Sequence, residues 1–259
     1  MMEASIREKK ILIVGGTGFI GRHLAERCLK DTPFVTCLGL SAEKKYSKDM
    51  EFIHADISDK RQLHDVLRDR SFQYVFNLGG YIDHTHYFKG GRRLIESHFI
   101  GLMNLIDCLN RDELKCFVQI GSSDEYGNLP APQKEHIRES PISPYSFAKT
   151  AASHFIQTLS NIEGFPGVVL RLFLVYGAGQ DEKRFLPQII AAFLKDESVE
   201  TSEGKQIRDF CYIDDVVDGI VRASVTEKAK GKIINLASGI PISIREMINK
   251  VAALIGSGR

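Results

Sequence analysis

Tyr145 and Lys149 stand four residues apart in the segment "SPYSFAK". On a helix, side chains at this spacing share one face, so the lysine ammonium can lie beside the tyrosine phenol. A free tyrosine has a pKa of about 10 and is a poor base at neutral pH, but a neighbouring cation lowers that pKa. Ser122 ends the apolar segment "CFVQIGS" and could hold the same substrate oxygen by a hydrogen bond. Ser122, Tyr145 and Lys149 are therefore candidate catalytic residues for proton transfer, although each alone is typical of an ordinary strand end, interface or surface.

Three glycines follow the first apolar segment of the chain. In "ILIVGGTGFIGRHL", Gly15, Gly18 and Gly21 lie directly after a predicted strand and at the start of a predicted helix. In that context the first glycine permits a tight turn, the second allows close approach of a pyrophosphate, and the third packs the helix against the strand. The amide groups of the helix N-terminus also bind anions. The loop predicts a dinucleotide site, and a plain tight turn is the alternative.

The second and third predicted strands bear on the type of dinucleotide. Asp56, in "HADISD", would follow the third strand and could reach an adenine amino group, although alone it is more typical of a turn or helix cap. The second strand ends at Gly39 and Ser41, with Lys44 and Lys45 just beyond. It lacks the carboxylate that usually binds the ribose hydroxyls of NAD. We expect NADP(H), with NAD(H) as the alternative, and the two lysines are otherwise ordinary solvated loop residues.

Short apolar segments alternate with helical patterns over most of the chain, which is typical of a parallel sheet covered on both faces. Helices are predicted over 19–30, 60–69, 92–110 and 145–163. "GVVLRLFLVYG" is predicted as one strand, and the pattern changes after Tyr176. The expected fold class is α/β, a Rossmann-type doubly wound parallel sheet with a smaller C-terminal substrate-binding lobe. The expected domains are a dinucleotide-binding domain over 1–175 with 211–238 and a lobe, incomplete at its C-terminal end, over 176–210 with 239–259.

The composition limits the partners that we expect. Lys and Arg number 34 and Asp and Glu number 33, so no overall field attracts the protein to nucleic acid or to an anionic membrane. The longest apolar run is interrupted by Arg171 and is too short to span a bilayer. The cysteines lack the paired spacing of a zinc or redox site, so we expect no metal and a reducing, cytoplasmic location. They are Cys28, Cys37, Cys108, Cys116 and Cys211.

The motifs of the chain resemble those of one known family. They are "GGTGFIG", "HADISD", "GSSDEYG", "SPYSFAK", "LRLFLVYGAGQ", "RDFCYIDDVVDGI" and "INLASGIPISIREM". In this order they resemble the extended short-chain dehydrogenase/reductases, the NAD(P)-dependent epimerase/dehydratase group that acts on nucleotide sugars. The resemblance implies that Ser122, Tyr145 and Lys149 are catalytic, with Lys149 also binding the nicotinamide ribose. It assigns Asp56 to the adenine and Arg208 to the diphosphate of the sugar nucleotide.

The resemblance also defines wider binding sets. The expected cofactor-binding residues are Gly15, Thr17, Gly18, Phe19, Ile20, Gly21, Ser41, Asp56, Ile57, Leu78, Gly79, Tyr145 and Lys149. The expected substrate-binding residues are Ser123, Asp124, Tyr145 and Arg208. Helices such as those over 92–110 and 145–163 commonly form a four-helix dimer interface in the family. We therefore expect a homodimer that binds a nucleotide sugar, and neither nucleic acid nor a membrane.

Several residues depart from the family pattern. Gly39 replaces the usual acidic residue, and His98 stands where many members have asparagine. Leu174 replaces an asparagine that often contacts the substrate. The chain also ends, at "LIGSGR", earlier than typical members do.

The segment "GSSDEYG" bears on the reaction. It looks most like the 4-keto-6-deoxyhexose reductases, which predicts NADPH-dependent reduction of a nucleotide-linked 4-keto-6-deoxysugar. A nucleotide-sugar 4-epimerase is the alternative. A 4,6-dehydratase is less favoured, because the segment matches its hydroxyl and paired carboxyls only if one residue is deleted before Tyr126. A non-catalytic dinucleotide sensor is a further alternative, which the presence of Tyr145 and Lys149 disfavours. The sugar, the nucleobase and the stereochemistry stay open.

Overall fold

The main sheet has seven parallel strands. The structure is a computed structural model that describes residues 5–41 and 50–256. The strands are β1 (Ile11–Val14), β2 (Val35–Gly39), β3 (Glu51–His54), β4 (Tyr74–Asn77), β5 (Cys116–Ser122), β6 (Gly167–Leu172), β7 (Leu174–Tyr176), β8 (Ile207–Tyr212), β9 (Ile233–Leu236) and β10 (Pro241–Ser243). The main sheet has the order β3-β2-β1-β4-β5-β6-β9. Every neighbouring pair in it is parallel, which confirms the predicted α/β class and Rossmann-type sheet.

Helices connect the strands. They are α1 (Phe19–Leu29), α2 (Lys60–Leu67), α3 (Arg92–Ile95), α4 (Gly101–Cys108), α5 (Pro144–Glu163), α6 (Phe185–Leu194), α7 (Ile213–Val225) and α8 (Ile244–Ile255). From β1 the chain runs outward to β2 and β3, then returns to β4 beside β1 and continues to β5 and β6. Right-handed crossovers in these two directions place helices on opposite faces of the sheet. The reversal between β1 and β4 opens a crevice at the carboxyl ends of the strands.

An apolar core cluster packs against the main sheet. β1 and β4 are buried along their whole length, as expected of apolar strands covered on both faces. The core cluster joins Leu12 and Phe117 of the sheet to Leu63 of α2, Leu105 of α4 and Ile156 of α5. Each fully buried side chain of this kind contributes about 1.5 to 3 kcal/mol relative to exposure. The core therefore fixes the strand ends at which the candidate site residues lie.

The helix predicted over 92–110 is interrupted in the structure. A π-helical turn, Glu96–Ile100, separates α3 from α4, and the last helical residue is Cys108. A π turn holds an extra residue within the helix, so it changes which side chains face inward, and such turns are frequent at functional sites. His98 lies in this turn and is buried. The apolar pattern of the sequence does not reveal the insertion.

The segment "GVVLRLFLVYG", predicted as one strand, forms two. β6 pairs with β5 and β9 in the main sheet and ends at Leu172. β7 begins at Leu174 and pairs with β8 in a different sheet. The prediction of a single strand was wrong, because a continuous apolar run does not show where a chain leaves one sheet for another.

The chain divides into two compact units. The first contains 1–172 and 217–236, and the second contains 173–216 and 237–259, so the first boundary lies at 172 where 175 was expected. The second unit has a three-stranded sheet of order β10-β8-β7. Its α6 and α8 pack together in a small core that contains Leu186, Ile189, Phe193 and Val251.

All five cysteines are free and buried. Burial raises the pKa of the Cys28, Cys37 and Cys116 thiols to about 12, so these thiols stay protonated at neutral pH. Within residues 5–41 and 50–256, no helix combines the length and the apolar character needed to cross a bilayer.

Gly21 is predicted to tolerate no side chain. A Cβ at this position would lie 2.2 Å from the carbonyl oxygen of Gly15, which is backbone and cannot rotate away. We expect Gly21→Ala to lower the free energy of unfolding by about 1 to 3 kcal/mol, measured by urea denaturation. Gly39→Ala is the matched control, because its Cβ would reach only ordinary contact, 3.5 Å from Thr17 Oγ1. Equal stability of the two variants would contradict the close packing of α1 against the loop.

Candidate functional site

The glycine loop joins β1 to α1 through a tight turn. Gly15 follows β1 with a φ of 76°, and a Cβ there would lie 2.9 Å from the carbonyl oxygen of Leu78. Gly18 closes the turn, because its amide donates a hydrogen bond to the Gly15 carbonyl at 3.0 Å. Gly18 is also the N-cap of α1 and offers no side-chain cap to the amides of the first turn. Uncapped amides at a helix N-terminus can bind an anion, so the loop fits the pyrophosphate of a dinucleotide.

Several other predicted cofactor residues lie around this loop. Leu78 and Gly79 follow β4, the strand beside β1. A Cβ at Gly79, the second residue after β4, would lie 2.9 Å from Ile57 Cδ1, so Gly79 lies close to the residue after Asp56. At the end of β2, Gly39 faces Thr17 of the loop. The carboxyl ends of β1, β2 and β4 therefore meet at one place, as the glycine motif predicts.

The remaining predicted cofactor residues lie near the same edge of the sheet. Phe19, Ile20 and Gly21 form the first turn of α1. Ser41 is exposed, two residues after the end of β2. Lys44 and Lys45, which bear on the choice between NADP and NAD, lie outside the described residues.

Asp56 has a clear local role in the turn before α2. Its Oδ1 accepts hydrogen bonds from the amide of Ser58 at 2.8 Å and from the hydroxyl of Ser58 at 2.7 Å. Its own amide donates to Gln62 Oε1 at 2.7 Å. The N-cap of α2 is Asp59, three residues later. Asp56 thus fixes the turn between β3 and α2.

The start of α5 positions Tyr145 and Lys149. Ser143 is the N-cap, and its hydroxyl and that of Ser146 cap each other's backbone amides. Pro144 occupies the first turn, where the absence of an N–H group is harmless. Tyr145 and Lys149 are each 4% exposed, and Lys149 Nζ lies 5.9 Å from the centroid of the Tyr145 ring. The predicted i, i+4 pair therefore shares one buried helix face.

Ser122 is the last residue of β5 and caps a 3₁₀ turn, Ser123–Tyr126. Its Oγ accepts a hydrogen bond from the amide of Asp124 at 3.2 Å. α5 packs against both β5 and this turn. Lys149 Nζ donates to the carbonyl oxygen of Ile120 at 2.8 Å, two residues before Ser122. The structure thus brings the three predicted catalytic residues to neighbouring parts of two packed elements.

Lys149 lies in an environment that disfavours its charge. Burial lowers the pKa of Lys149 to about 8, and the negative charge of Glu125 opposes this shift. A buried pair of amide side chains borders the same carbonyl group. Asn77 donates to Gln119 at 2.8 Å, and Gln119 donates to the Ile120 carbonyl at 3.0 Å. The amide of Gly79 donates to Asn77 at 3.1 Å, so this chain of hydrogen bonds links the predicted cofactor loop to the carbonyl that holds Lys149.

His98 is a site residue to which the sequence analysis assigned no role. It is 4% exposed, and its ring centroid lies 5.0 Å from that of Tyr145 in an edge-to-face arrangement. Its Nε2 lies 2.8 Å from the carbonyl oxygen of Tyr81. Burial lowers the pKa of His98 to about 3, and the charge of Lys149 adds to this effect. His98 is therefore neutral at physiological pH, and its departure from asparagine was the one sequence signal.

His84 was missed entirely by the sequence analysis. Its ring centroid lies 5.8 Å from that of Tyr145, and its Nε2 lies 3.8 Å from Asp124 Oδ2. It belongs to the irregular segment "YIDHTHYF", which gives no periodic signal. Of the two carboxylates in "GSSDEYG", Asp124 is partly exposed, whereas the side chain of Glu125 is 0% exposed. Only Asp124 is therefore accessible to a substrate in this conformation.

Arg208 and Leu174 belong to the second unit. Arg208 lies on β8 with an exposed side chain, and its Nη1 donates to the carbonyl oxygen of Ile207 at 2.8 Å. Leu174 begins β7 and is 43% exposed. Both side chains are accessible within their own unit.

Residues 11–237 match the NAD dependent epimerase/dehydratase family, and the chain belongs to this family. The match covers the glycine loop, Ser122, Tyr145, Lys149 and Arg208. It confirms the resemblance to the extended short-chain dehydrogenase/reductases and the prediction of an enzyme.

Similar proteins act on nucleotide sugars. UDP-N-acetyl-alpha-D-glucosaminuronate decarboxylase of Bacillus cytotoxicus is 28% identical, over 96% of this chain and 81% of its own length. UDP-glucuronate 4-epimerase of Thermodesulfobacterium geofontis is 28% identical, over 95% of this chain and 80% of its own length. The structure is similar to that of UDP-glucuronic acid 4-epimerase from Bacillus cereus in complex with UDP-glucuronic acid and NAD. That comparison has a TM-score of 0.85 and 26% identity, and covers 96% of this chain and 85% of the other.

The neutral state of His98 predicts a dependence of stability on pH. The unfolded chain binds a proton at His98 near a pKa of about 6.5, whereas the folded chain does so only near a pKa of about 3. Stability is therefore lost as the pH falls below the unfolded value, at up to about 1.4 kcal/mol per pH unit for this group. We expect His98→Asn to remove that part of the slope between about pH 6 and pH 4, measured by urea denaturation.

The control for the loss of a histidine is His136→Asn, because His136 is exposed in a loop. As a substitution on the surface, it should change the free energy of unfolding at neutral pH by no more than about 0.5 kcal/mol. Parallel curves for His98→Asn and the wild type would show instead that His98 ionises in the folded protein.

Proposed function

We propose that this protein is a nucleotide-sugar 4-epimerase that inverts a ring carbon through reversible oxidation of its hydroxyl group. The observation that carries the proposal is the buried pair of Tyr145 and Lys149, tied by Lys149 Nζ to the strand that ends at Ser122. The similarity to UDP-sugar 4-epimerases at 26% to 28% identity supports the choice of reaction. The class of substrate follows from the family.

The residues that would hold the cofactor fit a nicotinamide dinucleotide. Gly15 and Gly18 leave a concave turn with uncapped amides for the pyrophosphate. Asp56 would accept a hydrogen bond from the adenine amino group through the side-chain oxygen that does not bind Ser58. Lys149 would bind the nicotinamide ribose. The bound cofactor supplies the hydride acceptor and donor of the reaction.

Each of the three proposed catalytic residues has a different role at the substrate oxygen. Tyr145 takes the hydroxyl proton as the carbonyl group forms and returns it when the alcohol forms again. The ammonium of Lys149 favours the phenolate of Tyr145, because an adjacent positive charge stabilises a negative one in a buried site. The hydroxyl group of Ser122 donates a hydrogen bond to the same substrate oxygen and keeps its proton. Its Oγ already accepts from the Asp124 amide, which leaves the proton free to donate.

The position of Glu125 argues against a 4,6-dehydratase. Such an enzyme needs a carboxylate base that reaches the substrate in addition to an acid. Glu125 is 0% exposed, and its two oxygens accept from the Ser122 amide and from Arg171 Nε, both at 2.9 Å. Asp124 is then the only carboxylate of "GSSDEYG" available to a substrate, and one carboxylate cannot serve as both acid and base in a single step.

The second candidate function is the NADPH-dependent reductase of a nucleotide-linked 4-keto-6-deoxysugar. The observation that favours it is Gly39 at the end of β2, where a carboxylate would repel the 2′-phosphate of NADP. A net reductase draws on a reducing cofactor pool, whereas an epimerase recycles its own NAD. In either reaction we assign substrate contacts to Ser123 and Asp124 in the turn after β5 and the diphosphate contact to Arg208, a fork suited to phosphate oxygens.

We further propose that the protein is a homodimer through helices α3, α4 and α5. Large apolar side chains on these helices are exposed, among them Phe147 and Ile162 on α5 and Ile100 in the adjoining π turn. A surface of this kind favours association with a second helical face. Sedimentation equilibrium would show a dimer at micromolar concentration, and a monomer at that concentration would contradict this arrangement.

Substrate assays separate the candidate functions. The purified protein is incubated with NAD⁺ and a panel of UDP-sugars, and separately with NADPH and a panel of nucleotide-linked 4-ketosugars. Interconversion of sugars without a net change in absorbance at the nicotinamide band supports the epimerase. Stoichiometric NADPH oxidation supports the reductase. Cofactor binding without conversion of any substrate would overturn both and indicate a dinucleotide sensor.

Replacing Tyr145 tests its role directly. We expect Tyr145→Phe to lower turnover at least about 100-fold, because it removes the group that exchanges the proton. Cofactor binding, measured by calorimetry, should change little. The control is Tyr74→Phe, which removes the hydroxyl of a buried tyrosine at the amino end of β4, whereas the candidate site lies at the carboxyl ends of the strands. Turnover of Tyr145→Phe close to that of the wild type would contradict the assignment of Tyr145 as the group that exchanges the proton.

The end of β2 allows a second prediction, on cofactor choice. A side chain at Gly39 meets only ordinary contact, so Gly39→Asp should fold normally. We expect this substitution to weaken NADP⁺ binding at least about tenfold, because the new carboxylate repels the 2′-phosphate, and to retain NAD⁺ binding. Dissociation constants of Gly39→Ala separate the effect of charge from that of size. An equal loss of both cofactors in Gly39→Asp would count against a ribose site at this strand end.

A further inference from the structure

A cluster of buried charges lies beneath the turn that follows β5. Arg171 of β6 is 0% exposed, and its Nε donates to Glu125 Oε2 at 2.9 Å. Its Nη2 donates to Glu139, whose side chain is 9% exposed. The guanidinium carbon lies 4.6 Å from the centroid of the Tyr126 ring. Burying charges is unfavourable unless they are paired and hydrogen-bonded, so the geometry of this cluster is constrained.

The second oxygen of Glu125 reaches the backbone of the predicted catalytic serine. Glu125 Oε1 accepts from the Ser122 amide at 2.9 Å. On the preceding peptide groups, the Ile120 carbonyl accepts from Lys149 Nζ at 2.8 Å. Adjacent peptide groups at the end of β5 are thus each held by an ionised side chain, and hydrogen bonds of this kind are stronger than neutral ones.

Gly121 lies between these two contacts and shows how closely Glu125 is packed. A Cβ on Gly121 would lie 2.5 Å from Glu125 Oε1. The carboxylate therefore lies directly against the backbone at this position, and any other residue there would displace it. The Glu125 carboxylate can therefore take this position only because residue 121 is a glycine.

The charges of this region balance. Arg171 and Lys149 carry two positive charges, and Glu125 and Glu139 carry two negative charges. The groups that face Lys149 are Glu125 from the turn, His98 from the π turn and Tyr145 on its own helix. Glu125 and Lys149 bind adjacent peptide groups of β5, and His98 is neutral, so Glu125 is the carboxylate that opposes the loss of the Lys149 proton.

We propose that Glu125 is a positioning residue for catalysis: held by Arg171, it fixes the backbone of Ser122 and provides the counter-charge of the Lys149 ammonium. This inference rests on the proposed function, because it assumes that Ser122 and Lys149 act on the substrate. Glu125 itself touches no substrate, since it is fully buried. Glu125 acts only through the position of the Ser122 backbone and the ionisation of Lys149.

Glu125→Gln is the test, because it keeps an oxygen for the Ser122 amide and removes the charge. We expect kcat to fall at least about tenfold with KM nearly unchanged. Without the counter-charge the pKa of Lys149 moves further down, so the ammonium is lost at a lower pH. The alkaline limb of kcat against pH, measured with NAD⁺ and the UDP-sugar that the wild type converts, should therefore move to lower pH by about one unit.

Glu139→Gln is the matched control, because it removes a charge from Arg171 without touching Ser122. It should lower the melting temperature and leave the alkaline limb in place. A merely structural role for Glu125 predicts the same behaviour for both variants, with kcat per folded enzyme and the pH profile unchanged, and that result would overturn the proposal. If Glu125→Gln does not fold, Gly121→Ala displaces the carboxylate without removing its charge. It should then lower kcat with the limb unmoved, and unchanged kcat would also overturn the proposal.

A titration that needs no turnover separates this proposal from the proposed function. In protein labelled with ¹⁵N-lysine, the Lys149 signal is assigned by its absence in Lys149→Met and followed against pH by NMR. We expect it to titrate at a lower pH in Glu125→Gln than in the wild type. If no sugar is converted but this shift is present, the proposed function fails and the counter-charge stands. An unshifted titration refutes the counter-charge whatever the activity.

Discussion

The hydrogen bond from Lys149 Nζ to the carbonyl oxygen of Ile120 joins α5 to β5 at a place that excludes water. An ammonium group loses much of its hydration there, and a single carbonyl oxygen does not replace it. The chain compensates by placing a carboxylate nearby and by holding the neighbouring histidine neutral. The position of α5 on the sheet, the conformation of the strand end and the protonation of the lysine are therefore one coupled arrangement.

This arrangement explains why so much polar structure is buried around one strand end. Gln119 shares the Ile120 carbonyl with Lys149, and Asn77 continues the hydrogen bonds to the loop after β4. Buried polar groups are tolerated when each has a partner, and a network with all partners present makes the packing rigid and specific. The loop after β4 and the carbonyl group that holds the ammonium are thus connected by one set of contacts across β4 and β5.

The parts of the fold that were predictable from sequence are those that local pattern determines. The glycine loop, the strand that precedes it and the start of α5 at "SPISPYSFAK" depend on residues close in the chain, and the structure has them where predicted. The proximity of Ser122 and Lys149 was also predictable from the sequence, because consecutive strand and helix units place their ends at one edge of the sheet.

The remaining features depend on contacts between distant segments. Arg171 appeared only as an interruption of an apolar run, and its partners Glu125 and Glu139 lie 46 and 32 residues away. No periodicity reports such pairing. The division of one apolar segment into β6 and β7 likewise depends on which strand offers hydrogen bonds, and "YIDHTHYF" places His84 near Tyr145 through an irregular path.

The geometry of the site depends on the number of residues in the π turn Glu96–Ile100 as well as on their identity. Each residue of a regular helix turns the chain by about 100°, so removing one residue from this turn would rotate α3 relative to α4 by that angle. The backbone would keep nearly all its hydrogen bonds, yet α3 could not keep the face that it presents to α5 while α4 keeps the face that it presents to α2. A related chain that lacks one residue in this turn would therefore have different surroundings at Tyr145, even where every residue that touches Tyr145 is the same.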